Sequence, residues 1–189
     1  MCIKPRLLLS ALPLAAVLVA CESPSGTLVT NGDSGNTVSL AYTGGVTGSF
    51  AASGTFNSTA PPNTQTFAFS SVNTDGTLEV VAYRQRGGSR FDFATITVPD
   101  AAVGDVAVDV CPGKTCASVS LALDVGQAAG SVATQTCRVE TGTIRVTALS
   151  ATRATGTVSG TGVCLPGTGG ASIPFQLTSG SFNVQVRAQ

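Results

Sequence analysis

Among 189 residues there is no histidine and no tryptophan, and the only methionine is Met1. Histidine is the side chain that titrates nearest neutrality. Its absence removes serine and cysteine mechanisms that rely on a histidine base, and it removes imidazole metal sites. Lysine is confined to Lys4 and Lys114, and glutamate to Glu22, Glu79 and Glu140. Charged residues make up 11% of the chain and aromatics 5%, while Gly, Ser, Thr, Ala and Val dominate. That balance is poor for helices and good for strands and turns. There is no phosphate-cradling glycine loop and no dinucleotide fingerprint, so no cofactor is implied. Ten basic residues balance ten acidic ones, and nothing points to nucleic acid as a partner.

What the chain does have begins with its first twenty residues. Lys4 and Arg6 are the only charges there, and Leu7 to Ala20 is uncharged and apolar. A short basic segment followed by an apolar one is the order of a secretory signal peptide. A transmembrane helix is the rival reading, but this run holds Pro13 and is shorter than the ~20 residues a bilayer core requires.

Leu18-Val19-Ala20-Cys21 resembles the bacterial lipobox: an aliphatic residue, a small or aliphatic one, a small one, then cysteine. In that family the cysteine thiol receives a diacylglycerol, and a dedicated peptidase cuts just before it. The resemblance implies that Cys21 becomes the lipid-bearing N-terminus and that the mature chain has a membrane as partner. Two acyl chains hold a protein stably where one does not. The implied location is the bacterial cell envelope. Glu22 stands where an inner-membrane retention signal would have Asp, so the outer membrane is the expected destination, on its periplasmic or surface face. An ordinary secreted protein with an incidental Cys21 is the alternative.

The expected organisation is a signal peptide over 1–20, a lipidated N-terminus and flexible tether over 21–37, and a single domain over 38–189. Removing the first 20 of 189 residues leaves 169, enough for one domain with its own core. Lys4 and Arg6 leave with the leader, so the mature part carries a small acidic excess.

Four cysteines remain beyond Cys21: Cys111, Cys116, Cys137 and Cys164. An even number in an exported chain suggests two disulfides, with three connectivities open. Strand parity favours one of them. Cys111 and Cys116 both fall on the polar face of their strands and flank Pro112-Gly113-Lys114-Thr115, a good turn, so a hairpin would set them opposite each other. Cys137 is in phase with Val139 and Cys164 with Val158, which turns both inward. The longer loop would then contribute about 3.6 kcal/mol and the short one about 2.2 kcal/mol by loop entropy.

From Val38 onward, apolar residues recur at every second position. Strands are predicted at 38–42, 46–56, 65–72, 77–84, 91–98, 106–110, 119–123, 132–139, 143–149, 154–164 and 173–186, with turns at Asn73-Thr74-Asp75-Gly76 and Gly87-Gly88. Many short strands with glycine-rich turns predict an all-β fold: an antiparallel β-sandwich of about ten strands, with a closed β-barrel as the alternative.

Gly142-Thr143-Ile144-Arg145-Val146-Thr147, Arg153-Ala154-Thr155-Gly156-Thr157-Val158-Ser159-Gly160 and Thr178-Ser179-Gly180-Ser181-Phe182-Asn183-Val184 resemble the closing strands of a group of β-rich bacterial lipoproteins. The pattern in that group runs GTVTIT…RVSGTFSF…VTNGRFDV. The resemblance implies a β fold and no particular activity.

Paired carboxylates could serve a glycosidase, and the candidates are Asp75, Glu79, Asp92, Asp100, Asp105, Asp109, Asp124 and Glu140. Several sit beside turns, where Asp is a common structural residue, so no enzyme activity is expected. Arg84, Arg86 and Arg90 around Gly87-Gly88 form the one local charge cluster. They are candidates for an anion or acidic-glycan contact, against the plainer reading of a solvated hairpin. Tyr42, Tyr83 and the phenylalanines read as core. The functional expectation is a membrane-anchored interaction or structural module. A small-ligand or glycan binder is the first rival, which a cavity or a row of exposed aromatics would favour. A carboxylate-dependent hydrolase is the second.

Overall fold

A computed structural model of the chain describes residues 35–60, 65–88, 90–110, 116–126 and 133–187. Residues 1–20, expected to be a signal peptide, and Cys21 and Cys111 lie outside the described residues. Ten strands follow in order: β1 (Thr37–Gly44), β2 (Gly48–Ser53), β3 (Phe67–Val72), β4 (Leu78–Gly87), β5 (Arg90–Val98), β6 (Gly104–Val108), β7 (Ser118–Gly126), β8 (Gln135–Leu149), β9 (Arg153–Pro166) and β10 (Ile173–Arg187). The expected turn at Asn73–Gly76 forms, with Gly76 at a φ of 81° and the Asp75 carboxylate accepting the Thr77 N–H at 2.9 Å. Gly87 and Gly88, also at positive φ, turn β4 into β5.

All ten strands belong to one hydrogen-bonded system that folds over into two layers. The first layer runs β2-β1-β10-β9-β8-β6. The second runs β3-β4-β5-β7. The long strands β8 and β10 serve both layers. β8 bonds β7 through Gln135–Arg138 and β6 through Gly142–Val146. β10 bonds β1 along most of its length and then β3 through Val186 and Arg187, in the one parallel pairing between strands. The fold is thus the expected all-β sandwich, with hydrogen-bonded corners where its layers meet.

Two local expectations differ. The segments predicted at 132–139 and 143–149 are a single strand, because a bulge between Val139 and Thr141 carries the ladder past Glu140. Gly142 continues it: a Cβ there would stand 2.2 Å from the Ser159 carbonyl oxygen, so glycine permits close approach to β9 and is no breaker. Nor do β6 and β7 form a hairpin. Both run antiparallel to β8 along one edge, hence in the same direction, and among the described residues the one ladder contact between them is the parallel bridge Val108–Ala117. A fifteen-residue β8 has room for both strands in line, and that long-range pairing replaces the local one. Cys116 is disulfide-bonded.

One hydrophobic cluster fills the space between the layers. The alternation expected for β1 holds, with Val38, Leu40 and Tyr42 all buried. Leu40, Phe50, Ile96, Ile144 and Phe182 are among the largest fully buried side chains, each worth about 1.5–3 kcal/mol of burial. Phe182 lies over Gly156, where a Cβ would come within 2.3 Å of its ring. Cys137 and Cys164 are fully buried, directly opposite in the β8–β9 ladder, and bonded, as parity predicted. Asn36, also fully buried, precedes β1 and ties β10 to it by accepting the Gln185 N–H at 2.8 Å.

Candidate functional site

The arginine cluster singled out in the sequence is built by strand parity. Leu78, Val80 and Ala82 point inward from β4. Arg84 and Arg86 continue in phase with them past the apolar core. Across the ladder, Asp92 is the register partner of Arg84 and is fully buried. Its Oδ2 accepts from Nε of Arg84 at 2.8 Å and also from Nη2. Its Oδ1 accepts from Nε of Arg86 at 2.6 Å and from the Asp124 backbone N–H at 2.9 Å. This last bond exists because the β5–β7 register shifts between Phe91 and Phe93, with Asp124 in the left-handed region at a φ of 55°. Arg84 also donates to the Ser49 carbonyl at 2.9 Å and packs 5.2 Å from the centre of the Phe50 ring, which joins the two layers.

The electrostatics follow from this packing. Burial pushes the Tyr42 phenol up, with Asp92 adding to the rise and Arg84 and Arg86 opposing it. The hydrogen bond to Asp92 raises Arg86. Arg90 pairs with Asp124 and reaches Thr134 Oγ1 at 3.2 Å; its hydrogen bond holds the Asp124 carboxyl below the usual range. All three expected contact arginines are therefore ion-paired within the domain: Arg84 and Arg86 to Asp92, and Arg90 to Asp124.

The other carboxylates are dispersed. Glu140 pairs with Arg138 at 2.9 Å, and Asp105 stands 3.6 Å from Arg145. Asp109 accepts the Val110 N–H at 2.7 Å, and Asp100 occupies a left-handed turn position. Among the described residues no group of three His, Cys, Asp or Glu side chains could hold a metal ion.

The face that sequence reading missed lies outside the second layer. Phe67, Tyr83 and Phe93 are register partners across β3, β4 and β5, and Phe69 and Val81 form the next rung. The Phe67 and Tyr83 rings stack with centroids 5.3 Å apart, and Tyr83 stacks on Phe91 at 4.3 Å. Phe56, from the segment after β2, meets Phe67 edge-on at 5.0 Å. Phe67 is buried beneath these neighbours, whereas Phe56, Phe69, Tyr83, Phe91 and Phe93 are half-buried. Together with Val81 and Arg187, the rings of Phe56, Phe67, Phe69, Tyr83 and Phe93 line a depression of about 290 Å³. Burial raises Tyr83.

The expectation that the aromatics are core holds for Tyr42, Phe50, Phe67, Phe175 and Phe182, which are buried, and is corrected for Phe56, Phe69, Tyr83, Phe91 and Phe93. In Phe91–Val98 the inward set is Asp92, Ala94, Ile96 and Val98. The inner rung Ala68–Ala82–Ala94 is small, leaving room for large side chains such as Phe50 from the facing layer. The signal was present in the sequence: Ile96 and Val98 share a face with Asp92, so burying them sends Phe91 and Phe93 outward.

The fold and this surface define a two-layer β-sandwich domain with a stacked aromatic floor on one outer face. Compared with known proteins, the chain matches no protein-family model, no curated protein and no solved structure.

Proposed function

We propose that the protein is a lipoprotein of the bacterial cell envelope, held through lipid on Cys21, whose β-sandwich binds glycan on the aromatic floor of β3, β4 and β5. The observation that carries the binding reading is the half-buried stack of Tyr83 and Phe91, seated beside the buried Phe67 and a depression lined by Phe56, Phe69 and Phe93. Half-buried aromatic rows on a sheet present contiguous apolar surface against which the C–H groups of a sugar can pack, and such patches mark binding sites. A hydrolase is less well supported, because Asp92 and Asp124, the two carboxylates brought together, are both held by arginines.

Two measurements test this. Mass spectrometry of the mature protein should find a diacylglyceryl group on an N-terminal Cys21, and Cys21→Ser should release the protein from membranes. A different mature N-terminus overturns the anchor. Affinity electrophoresis through gels containing polysaccharides should retard the wild type more than Tyr83→Ser. Equal mobility of the two across neutral and acidic polymers overturns the binding surface.

A further inference from the structure

Arg187 stands apart from every other described arginine. Arg84, Arg86, Arg90, Arg138 and Arg145 are ion-paired, and Arg153 donates to Asn183 Oδ1 and to the Gly35 carbonyl, both at 2.6 Å. Arg187 has no carboxylate and no hydrogen-bond partner among the described residues. Its guanidinium instead lies 4.4 Å from the centre of the Phe69 ring and 5.3 Å from that of Phe56. Burial against these rings lowers its pKa.

The position is set by the tertiary fold. Arg187 is the last residue of β10 and pairs with Ser71 of β3 at the corner where the layers meet. That pairing brings it to the rim of the aromatic depression. Two rings pack against the guanidinium, and its donors have no partner among the described residues. A carboxylate matches such a guanidinium fork bidentately, as a phosphate also does, and it is the anionic group that a uronic acid carries directly on its ring.

We infer that Arg187 is the anion receptor of the aromatic floor, and that the glycan bound there is acidic, a uronic acid whose ring lies on the Tyr83–Phe93 side and whose carboxylate meets Arg187. This rests on the glycan-binding reading above and names the sugar class. The partially dehydrated cation favours a charged partner over a neutral one, and the apolar floor distinguishes a sugar ring from a free anion.

The test uses the full-length lipoprotein in detergent micelles, with oligogalacturonate and neutral galacto-oligosaccharide of matched length as probes. The wild type should bind the acidic probe roughly tenfold or more tightly than the neutral one, and about 1 M salt should narrow that preference. Arg187→Gln should collapse the ratio toward one. Arg187→Lys, which keeps the charge, should retain part of it. Arg145→Gln, on the opposite outer face, should keep it whole. Thermal unfolding of each variant confirms that it is folded. Equal wild-type affinity for both probes overturns the acidic class while leaving glycan binding intact, and binding to neither overturns both. Retention of the preference in Arg187→Gln, or its complete loss in Arg187→Lys, removes Arg187 as the receptor. Binding to vesicles containing phosphatidylglycerol but not to the oligouronate replaces the glycan with a lipid surface and overturns the proposal.

Discussion

The two layers of the sandwich solve the same problem with opposite chemistry. In the first, the interior is apolar and closed by the Cys137–Cys164 bond, and the outer face carries small polar side chains: Ser39, Ser181 and Thr157 are neighbours across β1, β10 and β9. In the second, the inner face ends on the buried Asp92 with Arg84 and Arg86, and the outer face carries Phe69, Tyr83, Phe91 and Phe93. A sheet that turns charge inward and aromatics outward has given its large rings to something other than its own core. The contrast teaches that hydrophobic content alone does not say which face of a strand is buried.

The widest break in this contrast comes from removing the inner charge. Asp92→Ala removes the buried carboxylate that Arg84 and Arg86 share, leaving the less exposed Arg84 without its counter-charge, and should cost up to about 4 kcal/mol. Denaturant unfolding measures it, and a loss under about 1 kcal/mol would show that the cluster anchors nothing. The first layer is tested by Cys137→Ala with Cys164→Ala, expected to cost about 3.6 kcal/mol from the loop-entropy model; a midpoint unchanged with both sulfurs gone would contradict it.

The outer faces should then separate. Tyr83→Ser removes cross-strand ring contacts and should cost about 1 kcal/mol of stability together with glycan retardation. Thr157→Val on the other face should stay within about 0.5 kcal/mol and leave retardation alone. If both substitutions cost the same and neither touches retardation, the faces do not differ in role.

The last effect is confined to alkaline pH. Tyr42 is held above its ordinary value by burial, so its folded pKa exceeds its unfolded one. Its contribution is fully present below the unfolded value of about 10 and is lost as pH rises through the folded value. Tyr42→Phe should flatten the alkaline fall in melting temperature. An unchanged fall would place the titrating group elsewhere.

Several features were legible from residues close in sequence. The period-two alternation of Val38, Leu40 and Tyr42 marked β1, and the Asn73–Gly76 turn signal placed the β3–β4 hairpin. The phase of Cys137 with Val139 and of Cys164 with Val158 set both inward and made them partners. Other features depended on chain far away. The alignment of β6 and β7 was hidden because it is β8, later in the chain, that offers both a place. Arg187 carried no local signal at all, since its role arises only where the end of β10 meets β3.

The sequence by itself determined that the chain makes strands, where they turn, and which residues within each strand travel together. Where both faces of a strand carry large apolar residues, as in β5, which one turns inward was decided by the tertiary structure. Alternation produces two faces of different composition but leaves the sign open. In the second layer the inward face carries the small Ala68–Ala82–Ala94 rung and Asp92, which is held by Arg84 and Arg86, with Arg84 packed on Phe50 of the facing layer. With those inside, the aromatics had only the outer surface left, and the closing corner of β10 set a cation beside them.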